Sequence, residues 1–97
     1  MIAVPTEIFK KWYKKLPDDI KILVDTYISR VLNNNTSCCK PVGEGVSEIR
    51  IKVKKGYRVY YTVRNGRTVL LLICGGDKKS QKDDIKIAKR IKRMLEE

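Results

Sequence analysis

The chain has 97 residues and a formal net charge of +11, with a pI near 9.8; this length fits one domain. Hydrophobic residues make up 42% of it and charged residues 34%, which excludes a disordered chain. The longest apolar run, Val69 to Cys74, is six residues, against the roughly 20 that a membrane helix needs. No membrane partner is therefore expected. No basic stretch precedes an apolar one at the N-terminus, so a secretory signal is not expected either. A chain of this size buries only about two-thirds of its unfolded surface, which predicts one small core and one open site.

In chain order, Thr6 is positioned to cap a first helix reaching about Leu16, with Ile8, Phe9, Trp12, Tyr13 and Leu16 at helical spacing. Pro17 ends it. Asp18 is expected to cap a second helix through about Leu32, with Ile20, Leu23, Val24, Tyr27, Ile28 and Val31 on one stripe. The two should pack antiparallel across so short a turn. Asn33 to Ser37 reads as a loop. The period then changes to two. From Val46 to Val53, Ile49, Ile51 and Val53 point one way and Glu48, Arg50 and Lys52 the other. Lys55-Gly56 is a turn. Tyr57 to Arg64 is a second strand, and Asn65-Gly66 a hairpin signal. Thr68 to Cys74 is a third strand, apolar enough to lie centrally with both faces covered. Gly75-Gly76-Asp77 closes it, and about Ser80 to Leu95 forms a last helix with Ile85, Ala88, Ile91 and Leu95 on its stripe. The order predicts an α+β fold: two N-terminal helices, an antiparallel sheet of three to four strands, and a C-terminal helix.

Three cysteines, two of them adjacent (Cys38, Cys39 and Cys74), make a poor disulfide framework. They read as free thiols in a reducing cytoplasm, with Cys74 a buried small hydrophobe. With no histidine and no Cys-x-x-Cys pair, no metal site is expected, and no cofactor.

The basic charge is unevenly placed. Arg50, Lys52 and Arg58 fall on the sheet face opposite the aliphatic one, together with Tyr60. Lys54 and Lys55 sit at the adjoining turn, and Lys78 and Lys79 follow the third strand. Like charges close together across strands repel, so this cluster predicts an anionic partner. Basic groups interleaved with tyrosine suit RNA, the charge taking phosphates and the ring stacking on a base. Arg64 and Lys82 extend the candidate RNA-binding set. The stripe Lys82, Lys86, Lys89, Arg90 and Arg93 on the last helix reads as a solvated face that also draws phosphates.

Several stretches carry a family resemblance: Lys40-Pro41-Val42-Gly43-Glu44-Gly45-Val46-Ser47-Glu48-Ile49-Arg50-Ile51; Gly56-Tyr57-Arg58-Val59-Tyr60-Tyr61; Leu71-Leu72-Ile73-Cys74-Gly75-Gly76-Asp77-Lys78-Lys79-Ser80-Gln81; then Asp84-Ile85 and Ala88. Phe9-x-x-Trp12 and Ile28-x-Arg30 fit as well. The chain resembles the phage-derived, HigB-like addiction module killer proteins of the RelE/ParE toxin superfamily over nearly its whole length. The resemblance implies a RelE-like fold and the toxin of a type II toxin–antitoxin pair. It also implies ribosome-dependent cleavage of mRNA. Its basic site falls on Arg58, on Arg50 and Lys52, and near Lys78 or Lys79. The partners it implies are a helix-turn-helix antitoxin, the ribosome and mRNA, and the place is the cytoplasm. ParE-like relatives share the fold and inhibit DNA gyrase without nuclease chemistry, which is the alternative function. Two departures stand out: no tyrosine occurs near the start of the last helix, where Asp83 and Asp84 lie, and there is no histidine.

The expected chemistry is metal-free attack of a ribose 2′-OH on the adjacent phosphate. Arg58, with Arg50 beside it, would stabilise the phosphorane. Lys52, Lys54 or Tyr60 is the candidate base, and Lys78 or Lys79 the candidate acid. An antitoxin covering such a basic face should be acidic in part.

Overall fold

A computed structural model describes residues 1–96. Its elements are β1 (Ile2–Pro5), α1 (Glu7–Lys14), α2 (Asp18–Leu32), β2 (Cys39–Gly43), β3 (Val46–Arg50), β4 (Arg58–Arg64), β5 (Val69–Gly76) and α3 (Gln81–Leu95). The class is α+β, as the change of period predicts. The sheet has five strands in the order β1-β5-β4-β3-β2. It is mixed: β1 runs parallel to β5, and every other pair is antiparallel.

The two strands that periodicity did not show are the two edges. Each is short and carries a proline, Pro5 in β1 and Pro41 in β2. A proline cannot donate to a ladder and is tolerated at an edge, where it also discourages pairing with another chain. β2 turns into β3 through Gly43, Glu44 and Gly45, all at positive φ. The inner strand β3 is shorter than the alternation suggests. It stops at Arg50, and Ile51 to Tyr57 form the turn, closed by the Ile51 amide donating to the Tyr57 carbonyl at 2.9 Å. The Asn65-Gly66 hairpin is present, with four residues, 65–68, between the strands.

The helices follow their apolar stripes. The Thr6 hydroxyl accepts the Phe9 amide at 3.0 Å, the N-cap bond expected, and donates to the Ile73 carbonyl, tying α1 to β5. Asp18 is not a cap. Pro17 occupies that position, and Asp18 and Asp19 sit in the first turn, where negative charge meets the helix dipole favourably. The Tyr13 hydroxyl donates to the Asp25 carboxylate, joining α1 to α2.

The largest difference from the sequence-based expectation concerns the core. There are two cores, one on each side of the sheet. On one side Phe9 of α1 and Val24 and Ile28 of α2 pack on Ile49, Val59 and Leu70 of the sheet. On the other, Ala88 of α3 packs with Val46, Tyr60, Leu71, Ile73 and Cys74 of the sheet. The face read as open is therefore covered by α3 over β3, β4 and β5. β5 is an inner strand, beside the edge strand β1, and is buried on both faces, as its apolar run predicts. Opposite it, a register shift between Tyr60 and Tyr61 sets Tyr60 against Cys74 and Tyr61 against Leu72, so Ile73 is an extra residue. The bulge accounts for Ile73 and Cys74, neighbours in sequence, belonging to the same core.

The exit of β5 is packed against two side chains. A Cβ on Gly75 would lie 2.3 Å from Trp12 Cε3, and one on Gly76 would lie 1.8 Å from Asp84 Oδ2. Gly75→Ala must displace a ring rather than a flexible tail. It is expected to cost about 1–3 kcal/mol, which lowers the melting temperature by roughly 4–8 °C per kcal/mol in a domain this small. A thermal melt followed by circular dichroism checks this; an unchanged melting temperature would mean that Trp12 does not pack on the β5 exit.

A candidate RNA site built on a buried carboxylate

Cross-strand pairing between β3 and β4 places Arg50 directly opposite Arg58, and Glu48 directly opposite Tyr60. The two arginines are brought together as predicted. What sequence reasoning missed is the group between them. Glu48 has no exposed surface. Its Oε1 accepts from Arg50 Nε at 2.8 Å, and Arg58 Nε lies 3.6 Å from Oε2, an ion pair beyond hydrogen-bond reach. Gln81, the first residue of α3, donates its amide to both carboxylate oxygens at 3.2 and 3.1 Å. A buried carboxylate survives only with such partners. Part of the anionic partner that the arginine cluster demands is thus internal. The available signal was the alternation itself, which put Glu48 on the arginine face.

Glu48 divides the work between the arginines. Arg58 is the inner one, its side chain 14% exposed, with Nη1 donating to the Gly56 carbonyl at 3.0 Å. Arg50 is the outer one at 44%, held at Nε alone, and its two Nη groups carry no protein partner among the described residues. A guanidinium fixed at Nε and open at Nη suits a phosphate, which accepts two parallel N–H donors.

The lysines gather at the same end of the sheet. Lys52, Lys54 and Lys55 are exposed on the β3–β4 turn, and Lys78 and Lys79 on the β5–α3 loop. Loop and turn touch, since a Cβ on Gly56 would meet the Lys78 side chain at 3.1 Å. Lys55 also reaches Asp77 at 4.0 Å. Lys82 is exposed in the first turn of α3, one residue after Gln81. Arg64 is not part of this group: it ends β4 opposite Val69, six residues beyond Arg58, or roughly 20 Å at strand rise.

Tyr60 is placed differently from its predicted role. It is fully buried, its hydroxyl has no partner among the described residues, and burial with Glu48 nearby raises its pKa well above the ordinary phenol value. The ring has no free face for a base, and the hydroxyl is a poor proton acceptor. Its place in the second core under α3 explains this. Asp84 borders the site on the α3 side. Burial raises its carboxyl pKa, while the hydrogen bond from Ser80 lowers it and Asp77 and Asp83 raise it. Cys74 beneath it is pushed up to about 12, first by burial and then by Asp84. No group of three or more metal-ligating side chains occurs among the described residues, and no described helix is long and apolar enough to cross a membrane.

Two outcomes follow from these contacts. Glu48→Ala leaves two guanidinium groups facing each other without their counter-ion. It is expected to destabilise the protein by about 3–5 kcal/mol, the scale for breaking a buried pair, as measured by urea unfolding; a loss under 1 kcal/mol would show that the carboxylate does not organise the site. For Asp84, a raised folded-state pKa means that the folded protein holds the proton more tightly than the unfolded chain. The stability this brings is present at low pH and is lost as pH rises through the folded-state pKa. Asp84→Asn, which keeps an acceptor for Ser80, should therefore melt at or above the wild-type temperature at pH 7, and the difference should shrink as pH falls below the carboxylate range. A difference that grows on acidification would contradict the burial of this carboxyl.

Comparison with known proteins agrees with this architecture. A 91-residue stretch is 41% identical to an uncharacterised protein of Haemophilus influenzae, covering 93% of this chain and 91% of that one. The fold is that of RelE toxins. A double arginine-to-alanine mutant of Escherichia coli toxin RelE in the free state superposes with a TM-score of 0.73 at 22% identity, over 92% of this chain and 95% of that one. The toxin–antitoxin complex RelBE2 of Mycobacterium tuberculosis gives a chain matching with a TM-score of 0.64 at 19% identity, over 78% and 95%. Residues 11–96 match the profile of the phage derived protein Gp49-like family. With that match spanning nearly the whole domain, the chain belongs to the phage derived protein Gp49-like family.

Proposed function

We propose that the chain is the toxin of a type II toxin–antitoxin pair and a ribosome-dependent mRNA interferase. The observation that carries this reading is the pair Arg50 and Arg58, set opposite each other and anchored by the buried Glu48. A guanidinium held in place before substrate arrives costs no reorganisation when charge develops on a phosphorane. Arg50 takes the non-bridging phosphate oxygens, and Arg58 supports the same charge from within. The five exposed lysines at this end of the sheet hold flanking phosphates. The 2′-OH attacks the adjacent phosphorus, the bond to the 5′-oxygen breaks, and a 2′,3′-cyclic phosphate forms without a cofactor.

The buried Tyr60 suits neither proton-transfer role. Lys52 or Lys54 takes the proton from the 2′-OH, and Lys78 or Lys79 supplies one to the leaving oxygen. All four lysines stand exposed on loops, so substrate placement must supply much of the acceleration. A small basic surface cannot read a long RNA sequence, which is why the ribosome belongs in the scheme: it presents one codon at a time. The work is then done in the cytoplasm. Solved relatives of the same fold occur in complexes with antitoxins, and the partner proposed here is an antitoxin of the helix-turn-helix type, acidic where it meets the lysines and arginines.

The test is induced expression of wild type, Arg50→Ala and Arg58→Ala, with new RNA 5′ ends mapped against reading frame. Wild type should cut at defined codon positions, and each variant should lose about 10²–10³-fold in cleavage rate, the scale for removing one group that stabilises transition-state charge. Full cleavage by both variants would remove the arginines from the site. Growth arrest with intact mRNA and a DNA-damage response would instead indicate a gyrase inhibitor.

A further inference from the structure

A hollow of about 360 Å³ lies on the outer side of α3, against the β2–β3 turn. Five described residues line it, and all five are charged: Lys86, Lys89, Arg90 and Arg93 of α3, and Glu44 of the turn. Two of the cations are held before any ligand arrives. Arg93 Nη1 donates to Glu44 Oε1 at 2.8 Å, and Lys89 Nζ lies 4.0 Å from Glu44 Oε2. The Lys89 stem also rests on the turn, since a Cβ on Gly43 would stand 3.1 Å from its Nζ. Lys86 and Arg90 are exposed and form no ion pair among the described residues. Lys82, Lys86, Lys89 and Arg93 follow at intervals of four, three and four, which sets them on one face of the helix. That face starts beside Gln81, at the arginine pair, and Arg90 is nine residues further on, roughly 14 Å at helix rise.

Four cations around one carboxylate call for an anion. The lining argues against a protein as its source. The centre of a protein–protein interface is depleted of charged side chains, and no apolar residue is among those lining this hollow. The lining argues equally against single-stranded RNA read through its bases, which needs aromatic rings to stack on; none of the lining residues is aromatic. What remains is a run of phosphates bound without regard to sequence, as the backbone of an RNA helix presents. We propose that this face of α3 binds the phosphate backbone of base-paired RNA, with Lys86 and Arg90 taking phosphates directly and the Glu44-held Lys89 and Arg93 beside them. This rests on the reading of RNA as substrate and adds to it a second surface: the arginine pair takes the strand to be cut, and α3 holds a neighbouring duplex.

The test is the salt dependence of binding to an RNA duplex of about 16 base pairs, followed by fluorescence anisotropy of an end-labelled strand. The double variant Lys86→Ala, Arg90→Ala should lower the slope of log K against log salt by about two and weaken binding roughly 10–100-fold near 0.1 M salt, the loss of two phosphate contacts. The double variant Lys11→Ala, Lys14→Ala removes the same charge from exposed positions on α1 and should leave the slope unchanged. Melts of both variants check folding. An unchanged slope in the α3 variant would overturn the proposal. So would an equal fall in the α1 variant, which would mean attraction to the net charge alone. A polyglutamate peptide whose affinity depends on Lys86 and Arg90 when that of the duplex does not would assign the hollow to an acidic protein instead. The readout is separate from nuclease activity: duplex binding through α3 without mRNA cuts would leave this surface standing and sink the interferase reading, and cuts without such binding would do the reverse.

Discussion

Glu48 has no exposed surface, and a buried carboxylate imposes conditions on everything around it. An unpaired charge in that position would cost several kcal/mol, a large share of the roughly 5–15 kcal/mol by which a domain is stable. β3 and β4 therefore have to set Arg50 and Arg58 on either side, and α3 has to begin where Gln81 can reach both oxygens. The contact ties the successive strands β3 and β4 to a helix further along the chain: Glu48 and Gln81 are 33 residues apart. It also settles a local conflict. Two guanidinium groups directly opposite across strands repel each other, and the carboxylate between them turns a destabilising pair into an anchored one.

The second consequence is a division of the basic charge into an inner and an outer shell. The arginines are fixed by the carboxylate, by a backbone carbonyl and by partial burial. The lysines stand in solvent on the two loops at the same end of the sheet. The difference suits the two side chains. A guanidinium keeps its charge when half-buried and offers directional donors, while an ammonium on a flexible stem is best left hydrated. A surface of this kind can combine one rigid anion contact with several exchangeable ones.

The exit of β5 shows how closely fold and site are joined. Gly75 and Gly76 leave no room for a side chain, because Trp12 fills the space beside one and Asp84 the space beside the other. The same close approach seats α1 and α3 on the sheet and leaves a cleft at the end of β5 with an indole ring and a carboxylate in its lining. Two successive glycines thus seat one helix on each face of the sheet.

Patterning alone determined the three helices, the three inner strands and the α+β class, because a stripe at helical spacing or an alternation of two is a local property of the chain. The pairing of Arg50 with Arg58 was legible for the same reason: a strand, a turn and a strand fix which residues share a face. The edge strands were not legible, since four or five residues interrupted by proline and half exposed carry almost no periodic signal. The cover over the second face was decided only by tertiary packing. Tyr60 alternates with apolar neighbours as a solvent-facing residue would, and nothing local says that α3 lies over it. The doubly buried character of β5 did imply cover on both sides, and α3 was the one element left to supply it. Glu48 was visible on the arginine face, but its burial depends on Gln81, and so on where a helix 33 residues away comes to rest.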